Sequence, residues 1–236
     1  YETGQPTHCY DSSKINEPIK LNYLERDLKF QTLLDNEIKL RSGDLVFTDK
    51  NQEVINLAGI VGSKNTACHK NTKSVVIECA HFDPEAIIGK SVKYDINSDA
   101  AHKFERGTDP SCHEYVLRRF IKIVQDHCNI QNVELFEEVF TKTRKKLIPF
   151  DINAINMIIG NKIDEVMCLT YLKKLGFSII DNMLEVPSYR NDVHMINDIA
   201  EEVARAIGYD NISNKTINIS SKKNIKKNIE ENKIKK

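Results

Sequence analysis

The sequence predicts an α+β protein, with a β-rich mixed unit followed by a small winged-helix-like α+β unit. Three observations carry this expectation. Short apolar runs bounded by turn residues fill the first 80 or so positions, capped amphipathic helices follow, and a basic connector then leads into a helix–helix–hairpin–helix order.

Taken in order, "FQTLLDNEIKL" reads as two short strands around an Asp35-Asn36 turn. "DLVFTD" and "VINLAGIVG" form a second pair turning at Lys50 to Gln52, and "SVVIECA" is a short run of the buried-strand type. "DPEAIIGKSVKY" opens a helix, with Asp83 as cap and Pro84 at its first position. Asp109-Pro110 repeats that device before "SCHEYVLRRFIKIVQDHC". There Tyr115, Leu117, Phe120, Ile121, Val124 and Cys128 make an apolar helical face. "NVELFEEVFT" returns to a strand pattern. "KTRKKLIP" is a basic, uncapped connector, which sets the boundary near residues 141–147.

In the second unit, "FDINAINMIIG" has Asp151 as cap and Gly160 as stop. "IDEVMCLTYLKKLG" follows, with Val166, Met167, Leu169, Leu172 and Leu175 as its apolar positions and Gly176 ending it. "FSIIDNMLEVP" is a hairpin turning at Asp181-Asn182, and a final helix begins near His194. The expected division is 1–143, 144–212 and a basic, mobile tail over 213–236.

Composition bounds the function classes. Apolar residues make up 40% and charged residues 29% of 236, ordinary for a soluble globular chain with a real core. No run of about 18 apolar residues indicates a membrane helix. The first residues, "YETGQPTHCYD", lack a basic segment followed by an apolar one, so no signal peptide is expected, and the chain reads as starting in mid-domain. Net charge is zero but uneven: from Ser213 onward eight Lys stand against two Glu, or +6, leaving −6 before it. A basic tail can bind nucleic acid. Lys, Asn and Ile are abundant throughout, however, and biased composition explains the tail as well.

The six cysteines form no C-x-x-C pair. Four have an adjacent His (His8, His69, His113, His127), but adjacent side chains point apart on a strand or helix, so zinc is disfavoured and free thiols in a reducing cytosol fit better.

Several constellations carry chemistry. In "YRNDVHMINDIAEEVARAIGYD", Asp198, Glu201, Glu202 and Arg205 stand at i, i+3, i+4 and i+7, along one helix face, opposite Ile199, Val203 and Ile207. Asp192 lies just ahead of the helix. Oxygen ligands suit magnesium. Acids in early turns also favour the helix dipole, and Glu201 or Glu202 can pair with Arg205; spacing alone leans toward this second reading. "GQPTHCYD" holds His8 and Asp11, a lone His in a turn that is more often structural than catalytic. In "AGIVGS", Gly59 and Gly62 would let backbone N–H groups approach an oxyanion or phosphate. Glu78, inside the apolar run "SVVIECA", needs a charged partner or a hydroxyl to bind. In "SDAAHKFERGTDP", Glu105, Arg106 and Asp109 read as an Arg–carboxylate network that fixes a turn.

Together, "GQPTHCYD", "LAGIVGS", "VIECAHFDP", "SDAAHKFERGTDP", "LKKLGF", "VPSYRNDV" and "DIAEEVARAIGYDNI" resemble, in order and spacing, the β subunits of bacterial-type phenylalanyl-tRNA synthetases. The resemblance covers Tyr1 to about Ile212. It implies that the first unit is the editing module, which hydrolyses tyrosine wrongly attached to the tRNA, and that the second is the winged-helix-like module beside it. It also implies a cytoplasmic α2β2 enzyme that uses ATP and Mg²⁺ to charge tRNA with phenylalanine, with the α subunit and tRNA as partners.

Residue by residue, Glu78 matches the family glutamate that recognises the tyrosine hydroxyl. His8 matches the histidine near the scissile ester, where it would position water or the tRNA end. Gly59 and Gly62 would bring backbone close to the aminoacyl group. Asp192, Asp198, Glu201 and Glu202 coincide with a Mg²⁺ site shared with the α subunit. The family's upstream strand and its remaining modules fall outside this sequence, so the chain alone is not expected to aminoacylate. Lys103 stands where the family usually has Arg, and Ser63 where a second Gly is common. A non-catalytic scaffold that docks the α subunit and tRNA, with a decayed editing pocket, is the alternative.

Overall fold

The computed structural model describes residues 2–213, so the expected mobile tail lies outside the described residues beyond Ser213. The described residues divide into two compact units. One takes those up to Leu147 with Glu185–His194, and the other takes Ile148–Leu184 with those from Met195 on.

The first unit is β-rich, as expected. Its strands are β1 (His8–Asp11), β2 (Lys20–Tyr23), β3 (Leu28–Gln31), β4 (Glu37–Leu40), β5 (Leu45–Thr48), β6 (Val54–Leu57), β7 (Val61–Gly62) and β8 (Val75–Glu78). They form a four-stranded sheet in the order β2-β5-β6-β7 and two pairs, β3-β4 and β1-β8. Asp35 takes the left-handed conformation in the β3–β4 turn, as a short polar side chain tolerates, and Gln52 takes it in the β5–β6 turn. Leu40, Val46, Leu57, Phe82, Ile87 and Phe104 belong to one core cluster. Tyr10, Ile15 and Ile55 form a satellite cluster.

Four helices follow: α1 (Pro84–Ile87), α2 (Lys90–Tyr94), α3 (Asp99–Glu105) and α4 (His113–Gln125). The sidewall of β5 is tied to α2 through Asp44, whose side chain is fully buried. It accepts hydrogen bonds from Lys90 Nζ at 2.6 Å, Lys93 Nζ at 3.0 Å, the Arg41 amide at 2.8 Å and the Tyr94 hydroxyl.

Later in the chain come β9 (Lys146–Pro149), α5 (Ile152–Ile159), α6 (Glu165–Lys174), β10 (Ser178–Ile180), β11 (Met183–Val186) and α7 (Ile196–Ile207). The strands make a sheet in the order β10-β11-β9. Asp151 caps α5, accepting from the amides of Asn153 and Ala154. Gly160 ends that helix in the left-handed conformation. Asp181 and Asn182, both at positive φ, make the tight β10–β11 turn.

Several local expectations are corrected. "VINLAGIVG" is two strands, because Gly59 (φ +70°) turns the chain between Leu57 and Val61. "DPEAIIGKSVKY" is two short helices, broken at Gly89 (φ +76°). Asp83 does cap α1, accepting from the Glu85 amide. Asp109 does not cap α4; its carboxylate accepts from the Ser111 amide in the preceding turn. Along α4 the inward side uses Val116, with Leu117, Phe120, Ile121 and Val124 half-buried, whereas Tyr115 and Cys128 are exposed.

On α6 the buried residues are Cys168 and Leu172, and Val166 is exposed. Arg106 directs its Nη1 to the His102 ring nitrogen and backbone carbonyl, and among the described residues it pairs with neither Glu105 nor Asp109. "NVELFEEVFT" is not a strand. It carries alternating apolar side chains, yet Leu135 and Phe136 are exposed and no described strand pairs with it. Alternation makes a strand only where a neighbour supplies the ladder.

Candidate functional site

Strand pairing assembles a polar cluster in the first unit. β1 runs antiparallel to β8 with His8 opposite Glu78 and Tyr10 opposite Val76. Residues directly opposite, and residues two apart on one strand, project to the same face. His8, Tyr10 and Glu78 therefore share a face. Behind them β6 pairs with β7, placing Asn56 opposite Gly62.

These elements meet through specific bonds. The Tyr10 hydroxyl donates to Glu78 Oε2. The Asn56 amide nitrogen donates to the Tyr10 oxygen at 2.8 Å and to Glu78 Oε2 at 3.1 Å. Glu78 Oε2 thus takes both donors, while Oε1 takes none from the described residues. Tyr10 is almost wholly buried, at 1% exposure, in its satellite core. The amide oxygen of Asn56 is buried with no hydrogen-bond partner among the described residues.

The electrostatics follow from this burial. Desolvation pushes the Glu78 carboxyl up to about 7, and the bonds from Tyr10 and Asn56 pull the other way without cancelling it. Burial, reinforced by the neighbouring Glu78, raises the Tyr10 phenol, so it stays protonated and donating. His8 is lowered by burial and is therefore a neutral imidazole near pH 7. Its ring stands edge-on to Tyr10, centroids 4.5 Å apart.

The two glycines have different roles. Gly62 lies under the His8 ring: a Cβ there would collide with His8 Cε1 and Nε2. Gly59 does not open toward this cluster. A Cβ on it would meet Ile87 Cδ1 at 2.9 Å and the rings of Phe82 and Phe104 at 3.2 Å, so its bareness serves the core and the turn. Asp11, next to His8 in sequence, is a turn anchor that accepts from the Ser13 amide and hydroxyl and from Thr72.

Tyr10 and Asn56 were not among the residues expected from the sequence. "HCYD" offered only an aromatic at i+2 from His8. Nothing local marks an Asn 46 residues further on; only the strand register brings it to Glu78.

Of the four expected carboxylates, Asp192, Asp198 and Glu202 are held by protein donors. Arg190 grips Asp192 in a two-point pair at 2.7 and 2.8 Å. Asp198 accepts from the Met195 amide at 2.9 Å, closing the first turn of α7. Glu202, 3% exposed, pairs with Arg205, and Glu201 is exposed. Among the described residues no three His, Cys, Asp or Glu side chains are grouped to hold a metal. These side chains do not form a ready chelate by themselves.

Residues 1–129 match the family model described as the B3/4 domain, and residues 148–209 match the tRNA synthetase B5 domain. The chain is 31% identical over 243 aligned residues to the phenylalanine–tRNA ligase beta subunit of Haemophilus ducreyi, covering 99% of this chain and 30% of that protein. It is 30% identical over 220 residues to the corresponding subunit of Pectobacterium atrosepticum, covering 90% of this chain and 27% of that one. The chain thus spans less than a third of these relatives. A solved N-terminal fragment of the phenylalanyl-tRNA synthetase beta subunit from Pyrococcus horikoshii aligns at a TM-score of 0.48 and 17% identity, over 86% of this chain and 60% of that one.

Proposed function

This chain belongs to the β subunits of phenylalanyl-tRNA synthetase, of which it carries the B3/4 and B5 domains, and we propose that its first unit is an editing site that hydrolyses Tyr-tRNA. The observation that carries this reading is Glu78: a largely buried carboxylate with one oxygen held by two donors and the other without a protein donor among the described residues. Such a group rewards a ligand that brings a hydroxyl and penalises one that does not. Tyrosine and phenylalanine differ by that hydroxyl, and a site built around it rejects the analogue lacking it by roughly 10⁴–10⁵.

The remaining residues divide the work of ester hydrolysis. His8, neutral and set against Gly62, orients the attacking water or the tRNA terminus. Water adds to the ester carbonyl and the terminal tRNA hydroxyl leaves. The backbone at Gly62 approaches the aminoacyl group, and Gly59 keeps the β6–β7 turn tight enough for that approach.

The full enzyme would be a cytoplasmic α2β2 assembly that charges tRNA with phenylalanine using ATP, with the α subunit and tRNA as this chain's partners. Asp192, Asp198, Glu201 and Glu202 would supply part of a Mg²⁺ site that the α subunit completes. A deacylation assay with Tyr-tRNA and Phe-tRNA, run with and without the α subunit, tests the reading. Faster loss of tyrosine is expected. Hydrolysis of neither ester, with the α subunit still co-purifying, would leave only a docking role.

A further inference from the structure

We propose that Tyr10 and Asn56 are specificity-determining positioning residues that fix the Glu78 carboxylate so that its Oε1 atom receives the hydroxyl of the bound side chain. This rests on the editing reading and names residues that act through Glu78.

The geometry singles them out. A glutamate has three rotatable bonds, and a carboxylate left to rotate would present either oxygen to a ligand. Here Oε2 accepts both from the Tyr10 hydroxyl and from the Asn56 amide. Asn56 also donates to Tyr10, so three side chains from β1, β6 and β8 close one ring of bonds. The ring leaves Oε1 as the acceptor without a protein donor among the described residues.

Asn56 shows that the arrangement is not simply good packing. Its amide oxygen is buried and unpartnered among the described residues, a desolvation cost that an apolar residue of similar size would avoid. The amide keeps this orientation because both of its nitrogen-bound contacts, Tyr10 Oη and Glu78 Oε2, are acceptors. Tyr10 is likewise locked, its ring buried and set edge-on to His8. The same tyrosine therefore links the residue that orients the ester chemistry to the residue that reads the hydroxyl.

The test uses the assembled synthetase with Tyr-tRNA and Phe-tRNA as substrates, comparing the unmutated protein, Tyr10→Phe and Asn56→Asp across pH 5.5–9 (roughly one and a half to two units either side of the Glu78 value). Tyr10→Phe keeps the ring and its packing and removes only the donor. The expected result is a fall of about tenfold in the ratio of kcat/KM for Tyr-tRNA over Phe-tRNA, expressed mainly in KM for Tyr-tRNA. The pH midpoint of the tyrosine preference should also move upward, because the ionised Glu78 has lost a donor. A purely structural tyrosine would leave that midpoint in place. Asn56→Asp, which replaces a donor by a second carboxylate, should depress the ratio further. An unchanged ratio and midpoint in Tyr10→Phe would overturn the proposal. So would faster Tyr-tRNA hydrolysis, which would make the Tyr10 hydroxyl a competitor of the substrate. If the unmutated protein shows no preference for Tyr-tRNA, the editing reading itself fails, and the two failures are told apart by that control.

Discussion

The imidazole of His8 occupies the space that a side chain on residue 62 would need; a Cβ on Gly62 would collide with its ring. The two residues are 54 positions apart, on β1 and β7. Gly62→Ala is therefore expected to displace His8 and slow Tyr-tRNA deacylation by about 10–100-fold, as a shift of about 1 Å at a reacting group does. The cost in stability should stay below about 2 kcal/mol, since the group displaced is a side-chain end. Gly62→Ala combined with His8→Ala should be no slower than His8→Ala alone. Additive losses would show that Gly62 acts by another route.

Glu78 sets a pH dependence of stability. Burial raises it from its ordinary value of 4.5 to about 7, so it favours the fold when protonated. That contribution is fully present below about 4.5 and is lost as the pH rises through about 7. Glu78→Gln keeps an acceptor but cannot ionise. Thermal melts at pH 8 should show it more stable than the unmutated protein by about 2–3 kcal/mol, with the difference gone near pH 4.

Asp44 behaves in the opposite sense. Burial would raise it, but the bonds from Lys90, Tyr94, the Arg41 amide and Lys93 outweigh that and hold it at about 2. Its stabilisation is present above about 3.8 and lost as the pH falls through about 2. Asp44→Ala removes the buried acceptor shared by Lys90, Lys93, Tyr94 and the Arg41 amide and should cost about 1–3 kcal/mol in chemical denaturation at pH 7. A loss under 1 kcal/mol would contradict the assigned network.

The α7 carboxylates differ in burial, and substitution should separate them. Glu202→Gln weakens the pairing of a buried carboxylate with the exposed Arg205 and should destabilise the second unit, whereas Glu201→Gln, on an exposed side chain, should stay within about 0.5 kcal/mol.

Mg²⁺ titration by calorimetry tests the half-site directly. This chain alone should bind only weakly, because its carboxylates are held by Arg190, the Met195 amide and Arg205 and Mg²⁺ gives up its water reluctantly. Binding should tighten when the α subunit is added. Tight binding by this chain alone would count against a shared site.

Much of the architecture was legible locally. Turn pairs such as Asp35-Asn36 and Asp181-Asn182, and caps such as Asp83 and Asp151, sit beside the elements they bound, so the signal is contiguous. Glu78 stood out because a carboxylate in an apolar strand demands a partner. What could not be read is what depends on register. Tyr10 and Asn56 look like an ordinary strand tyrosine and asparagine until β1, β6 and β8 are brought together. Asp44 reads as the first residue of the strand run "DLVFTD", although Lys90, Lys93 and Tyr94 bond to it from 46 to 50 positions away. In the other direction, the alternation of residues 132–141 suggested a strand that the described residues do not pair, and the helical periodicity of α6 hid which of its apolar residues face outward.

The central claim is that Glu78 reads a hydroxyl. The most direct measurement is the ratio of deacylation rates for Tyr-tRNA and Phe-tRNA in the assembled protein, with and without Glu78→Ala. The unmutated protein should remove tyrosine much faster than phenylalanine, and Glu78→Ala should bring the two rates together. Equal hydrolysis of both esters by the unmutated protein, or a preference that survives Glu78→Ala, would contradict it.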